Sequence, residues 1–354
     1  MTRATHALRT ATGADLTAVG EALGLSAPAL APAMVEPGAR VLVGTEGQVV
    51  LLRRHWSHDA TAEAVVVRRA GVPLDHPGVL AAAAGWGCDR VRHLATDRCV
   101  PVPTPPDGAP LALRFAHLAA LAATRVETAV ALARDVGRHT TDDGGPEAPA
   151  EEAAHAAAVG VLGALGVPVL GEASGDRPVA GGEPWIVIHP LDGVGNYRAG
   201  LPPWAFSAAL VHDGRPVAGL VVDLSCGRRW SAIEGRAERD GVPVRTRAGG
   251  TVVVPSAPDG GAIGAARRVR ITGCTAVDLC LVADGAVAAW HDVDRTGTEV
   301  RDVAGGLAVL LAAGGAALTA DGRPVELVPH TGEKVRFVAA ADETVARTLL
   351  DAVA

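Results

Sequence analysis

The segment 100–110, VPVPTPPDGAP, constrains the fold of this chain more than any other. Its prolines lock φ, remove amide donors and push each preceding residue toward extended backbone. Neither a helix nor an inner strand runs through such a stretch. The 354 residues therefore read as an N-terminal region (1–100) of unknown role, a Pro-rich linker (101–110) and a larger domain (111–354). That length suits two domains.

Composition narrows the architecture. Hydrophobic residues make up 49% of the chain, but aromatic residues only 3%. A core built from Ala, Val, Leu and Gly must bring elements close together, as stacked layers of helix and sheet do. The formal charge of −7 comes without a dense basic run, which argues against a nucleic-acid partner. Five cysteines without CxxC spacing read as reduced thiols, not a disulfide framework or zinc site. The opening residues, MTRATHALRTATGADL, lack the apolar stretch of a signal peptide. Apolar runs such as 303–313 are too short to cross a bilayer. The expectation is a cytoplasmic protein with no membrane partner. Lys334 is the only lysine and Asn196 the only asparagine, which reads as compositional bias.

Local patterns predict the elements. Val41–Val43 and Val49–Leu52 flank a Gly-Thr-Glu-Gly turn, Ala64–Val67 suits a third strand, and Gly78–Gly85 a short helix. After the linker, apolar residues at helical spacing predict helices over Ala112–Arg134 and Ala150–Leu165. Strands follow at Pro168–Leu170 and Trp185–Ile188. Ala205–Val211 and Pro216–Asp223 form a hairpin around Asp213-Gly214, with Arg229–Glu234 continuing it. Thr275–Val282, Val303–Ala313 and Glu343–Val353 read as helices, Val287–Trp290 and Val335–Ala339 as strands.

The chemistry concentrates in Trp185–Tyr197, WIVIHPLDGVGNY. A buried strand runs into a turn bearing Asp192 and Gly193. A strand end holds a carboxylate rigidly, and glycine lets backbone amides approach a phosphate. Upstream lies Val169-Leu170-Gly171-Glu172. Downstream lie GLPPWAFS (200–207), the 214–223 hairpin, Gly273-Cys274-Thr275-Ala276-Val277-Asp278-Leu279-Cys280, and Arg301-Asp302-Val303-Ala304-Gly305-Gly306 with Gly314-Gly315. Taken singly, Asp192-Gly193 could be a plain turn, Glu172 a solvated carboxylate and Asp302 a helix N-cap.

Together and in this order, the segments from about Leu111 onward resemble the inositol monophosphatase superfamily. Its signature has Asp, Pro, an apolar residue, Asp, Gly and Thr, and its later element reads Trp-Asp-x-Ala-x-Gly. The resemblance implies an α+β, layered αβαβα fold, here preceded by a small extra N-terminal α/β region. It implies that Glu172, Asp192 and Asp302 hold Mg²⁺ with the Leu191 carbonyl. It further implies that Gly193, Val194, Cys274 and Thr275 border the phosphate, and that Asp292 meets a substrate hydroxyl. Hard oxygen ligands suit Mg²⁺, which would activate water and neutralise phosphoryl charge.

Three positions depart from the family pattern. His189 stands where the first signature aspartate bridges two metals, which favours one ion over two and admits Mn²⁺ or Zn²⁺. Val194 replaces a threonine that orients the attacking water. Glu147 is the nearest match to the other half of that water-activating pair. His189 reads equally as metal ligand, general acid or relic. Three functions remain open. The first is metal-dependent hydrolysis of a small phosphorylated sugar, cyclitol or nucleotide; the second is a pseudophosphatase binding module. The third is a repurposed pocket catalysing a non-hydrolytic step on a phosphorylated biosynthetic intermediate. A homodimer suits the resemblance, and Cys274–Ala276 and Trp290–Asp292 would wall the pocket. Asn196 and Tyr197 read as structural, and Cys274 and Cys280 as core. The histidines 55, 58 and 76 and the pair Asp142-Asp143 read as ordinary polar loop sequence.

Overall fold

The computed structural model describes residues 7–56, 62–137, 147–174, 179–248, 251–253, 268–293 and 297–353. His58 and the Asp142-Asp143 pair lie outside them. Contacts divide the chain into two units, residues 1–109 with 240–242, and residues 110–239 with 243–354.

The first unit is a six-stranded sheet in sequence order: β1 (Leu8–Thr10), β2 (Ala39–Gly44), β3 (Val49–Trp56), β4 (Ala62–Ala70), β5 (Arg90–His93) and β6 (Cys99–Pro101). Only β4 and β5 run parallel. A parallel pair needs a crossover, and α3 (Pro77–Gly85) supplies it. Alternation sets the two faces. Leu42, Val50 and Leu52 pack with Val79 and Trp86 on one side. Val41, Val43 and Leu51 pack with Val19 and Leu30 of α1 (Leu16–Leu23) and α2 (Ala27–Val35) on the other. The three predicted strands and the short helix are present and extend beyond their expected bounds.

In the second unit, α4 (Leu111–Gly137) and α5 (Glu147–Leu162) cover one face of a central sheet. Its strands run in the order β12 (Arg236–Arg239), β11 (Arg228–Ile233), β10 (Arg215–Asp223), β9 (Ala205–His212), β8 (Trp185–Asp192), β7 (Val169–Leu170). Strand β8 is apolar on both sides: Ile186 and Ile188 face α4 and α5, whereas Trp185 and Val187 face α7 (Thr275–Ala283) and α8 (Val300–Ala312). This is why it reads as a continuous apolar run. Beyond α7 and α8 lies a second sheet, ordered 268–270, 251–253, 289–291, 337–340, 316–319. Phe337 and Ala339 point toward the helices, and Val338 and Ala340 toward α9 (Glu343–Val353). The layers are therefore αβαβα, with small residues at the contacts. A Cβ on Gly219 would lie 2.5 Å from the Ala308 Cβ, so α8 sits directly on β10.

By length and composition, residues 111–133 of α4 would cross a membrane. Here Phe115, Ala119, Ala122, Ala123 and Val126 are buried against the sheet, as in a core helix. The 205–223 hairpin turns at Asp213 (φ 49°) and Gly214 (φ 70°), the left-handed pair expected of Asp-Gly.

Candidate functional site

Strand β8 delivers the first residues. Its pairing with β9 slips between His189 and Asp192, where Pro190 and Leu191 oppose the single residue Phe206. Pro190 has no amide to give the ladder, so the irregularity falls where it costs least. The chain then turns at Gly193 with φ +81°. A Cβ there would stand 3.0 Å from the Pro203 carbonyl and 3.2 Å from that of Gly273. Glycine is required on both counts. Asn196 fixes the far side, its Nδ2 donating to the carbonyls of Pro203 (2.8 Å) and Thr272 (2.7 Å). The buried Tyr197 hydroxyl donates to the Val130 carbonyl. Both residues are structural, as the sequence suggests.

Helix α8 brings Arg301 and Asp302 to the same place. Its N-cap is Glu299 and it begins at Val300, so Asp302 sits in the first turn and is not the cap suggested by sequence. Gly305 and Gly306 let the helix press on β9 and α7, where a Cβ would collide with Ser207 and Leu279. From α7, the Ala276 amide donates to Asp192 Oδ2 at 2.8 Å, and the Cys274 thiol reaches the same oxygen at 3.2 Å.

The charged groups meet as follows. His189 Nδ1 stands 3.0 Å from Asp302 Oδ1 and 3.9 Å from Asp192 Oδ1. Arg301 Nη2 lies 2.7 Å from Glu299 Oε2 and 3.4 Å from Glu172 Oε1, and its Nε 3.7 Å from Asp302 Oδ1. The side chains of His189 and Arg301 are only 14% and 17% exposed, so these contacts are largely shielded from water, whereas Glu172 is 61% exposed. Burial opposes charge on His189, but the contact with Asp302 and the charges of Asp192 and Asp302 outweigh it, raising its pKa. Burial pushes Asp192 upward, against the pull of His189. Burial also drives the Cys274 thiol well up, which leaves it inert.

Two cavities share His189. One, of about 370 Å³, is lined by His189, Asp192, Thr275, Thr298, Arg301 and Lys334 among others. The second, of about 240 Å³, lies toward α5 and includes Glu151, His155 and Glu172. In it, burial raises the Glu151 pKa and lowers that of His155, whose Nε2 lies 2.8 Å from Ser174 Oγ.

The structure thus brings Glu172, His189, Asp192, Thr275 and Asp302 together, with Gly193 and Val194 at the turn and Leu191 lining the smaller cavity. Asp292 is buried, its carboxylate taken by the Thr298 hydroxyl (2.5 Å) and the Phe337 amide (3.1 Å). Trp290 is fully buried against Phe337 and lines neither of these two cavities. Glu147 opens α5, but its side chain lies outside the described residues. Sequence reasoning missed Glu299, Arg301 and Lys334. For two of these a signal existed: arginine in place of the family tryptophan, and a lone lysine in an arginine-rich chain.

A divalent ion does not fit this donor set. Oxygens of Glu172 and Asp302 face the Arg301 guanidinium, Asp302 also faces His189, and Asp192 Oδ2 accepts the Ala276 amide. Among the described residues, no three His, Cys, Asp or Glu side chains are arranged to hold a metal.

A layered αβαβα domain of this kind is the fold of solved inositol-monophosphatase-like structures. The chain belongs to the inositol monophosphatase family, whose profile matches residues 116–354. It is 31% identical over 194 residues to a fructose-1,6-bisphosphatase/inositol-1-monophosphatase of Thermococcus kodakarensis, covering 53% of this chain and 75% of that one. To the probable inositol 1-monophosphatase ImpA of Mycobacterium tuberculosis it is 32% identical over 185 residues, 46% and 67% of the respective chains. Among solved structures, a Pyrococcus horikoshii protein with similarities to inositol-1 monophosphatase superposes with a TM-score of 0.53 at 28% identity, over 57% of this chain and 83% of that one. The family is generally Mg²⁺-dependent. Membership and the phosphatase names of the relatives support phosphomonoester hydrolysis as the chemistry and a small phosphorylated molecule as the substrate.

Proposed function

We propose that the second unit hydrolyses the phosphomonoester of a small sugar, cyclitol or nucleotide in the 370 Å³ cavity. The observation that carries this reading is the His189–Asp302 contact at 3.0 Å, in a cavity that also contains Thr275 and Lys334. Asp302 lies beside His189 Nδ1, which leaves Nε2 to give a proton to the departing alkoxide. Asp192 Oδ1, the oxygen not held by Ala276, receives the proton of the attacking water. Lys334 and Thr275 hold phosphoryl oxygens, and Asp292 acts through Thr298. Release of inorganic phosphate from β-glycerol phosphate, absent in a His189→Gln variant, is the expected result. Equal rates in both proteins would refute the role of His189.

A second reading, phosphate binding without turnover, is favoured by Val194, which has no hydroxyl to orient water. It predicts phosphate binding by calorimetry but no release from any phosphomonoester.

A further inference from the structure

Arg301 occupies a position that helix energetics do not explain. It is the second residue of the 13-residue helix α8, where the positive end of the helix dipole disfavours a cation. It is nevertheless well shielded, and its guanidinium lies among three carboxylates from three elements: Glu172, Glu299 and Asp302. A guanidinium keeps its proton at any pH a folded protein meets, so this positive charge is permanent. The neighbouring His189 contacts Asp302 and Asp192 on the other side of the cluster. The carboxylates expected to bind a metal thus have their counter-charge from the chain itself.

Mg²⁺ requires close to six oxygen ligands at about 2.0–2.1 Å in an octahedron and tolerates little departure from it. To bind here it would have to expel a guanidinium that faces three anions. It would also have to remove Asp302 from both Arg301 and His189. A dication beside a fixed guanidinium is repelled by it.

We propose that Arg301, with His189 beside it, stands in for the divalent ion, and that the pocket takes no Mg²⁺ of its own. The inference concerns the same site as the proposed hydrolysis and depends on that reading only for what the pocket does next. Arginine also explains why the departures at 189 and 301 occur together. A histidine at the bridging position removes one anionic metal ligand, and an arginine beside Asp302 supplies the charge that the remaining acids need.

The test is a calorimetric titration of the full-length protein with Mg²⁺, and separately with Mn²⁺, after treatment with chelator. No saturable heat is expected with the native chain. In the His189→Asp/Arg301→Leu double variant, saturable binding at least about tenfold tighter than any native signal is expected, a change of roughly 1.4 kcal/mol. Arg301→Lys, which keeps the charge, should behave as the native chain does. The native titration is decisive even if the double variant fails to fold. A stoichiometric native Mg²⁺ site that Asp302→Asn abolishes would overturn the proposal. Phosphate release assayed in parallel separates the two claims. Release that persists in chelator supports both. Release only with Mg²⁺ keeps hydrolysis and sinks this inference, whereas absence of both release and metal binding does the reverse.

Discussion

Two clusters of buried charge, one in each unit, use the same side chains differently. In the first unit Glu63 is nearly fully buried between Arg90 (2.6 Å) and Arg92 (2.7 Å), across the parallel pair β4–β5. One buried carboxylate meets two guanidinium groups, with the exposed Asp97 3.6 Å from Arg92 as a second anion. In the second unit the ratio is reversed. Glu172, Asp192, Glu299 and Asp302 share Arg301 and His189, and the cluster lines two cavities. A saturated pair sealed between strands is a fastening. A carboxylate-rich cluster open to a cavity has groups left for a ligand.

This contrast makes graded predictions. The largest effect is on turnover: His189→Gln should lower phosphate release by about 100-fold or more, the usual share of a general acid. Glu63→Gln should leave release unchanged, and equal losses in the two variants would erase the distinction. On stability the order reverses. Removing the Glu63 carboxylate takes a buried anion from two arginines, and after discounting for their partial exposure this should cost about 2 kcal/mol in urea unfolding. Gly193→Ala comes next, at roughly 1–2 kcal/mol for the left-handed backbone and the crowded Pro203 carbonyl, with turnover falling as the turn shifts.

The smallest effect is a matter of pH. The Arg9 hydrogen bond holds the Asp15 carboxyl far below its ordinary value. Its contribution is therefore present above the ordinary carboxylate pKa of about 3.8 and lost as acid protonates the folded form. Arg9 is mostly exposed, so solvent screening keeps this under about 1 kcal/mol. His189 runs the other way. Its raised pKa gives a contribution fully present below its ordinary pKa of about 6.5 and lost as pH rises through the folded value. Unfolding of the Asp15→Asn and His189→Gln variants across pH should remove the acid and alkaline dependences separately. If either variant removes both, the assignments fail.

Much of the second unit was legible in the chain. The apolar run of β8, the Asp-Gly hairpin and the limits of α9 are local patterns, so neighbouring residues determine them. Glu172, Asp192 and Asp302 were legible through ordered motifs, and they lie against Arg301 or His189. In the first unit, strands and a helix could be read, but not the pairing of β4 with β5, which depends on contacts distant in sequence.

The sequence by itself singled out Glu172, Asp192 and Asp302, though not Glu299, and the glycines that let the backbone come close. Only the tertiary structure decided what neutralises those carboxylates. Arg301 is adjacent to Asp302 in any conformation. It becomes the partner of Glu172 only because α8 packs under β8 and carries its first turn to the strand end. Electrostatic partnership depends on distance in space and on exclusion of water, and neither quantity is written in the order of residues.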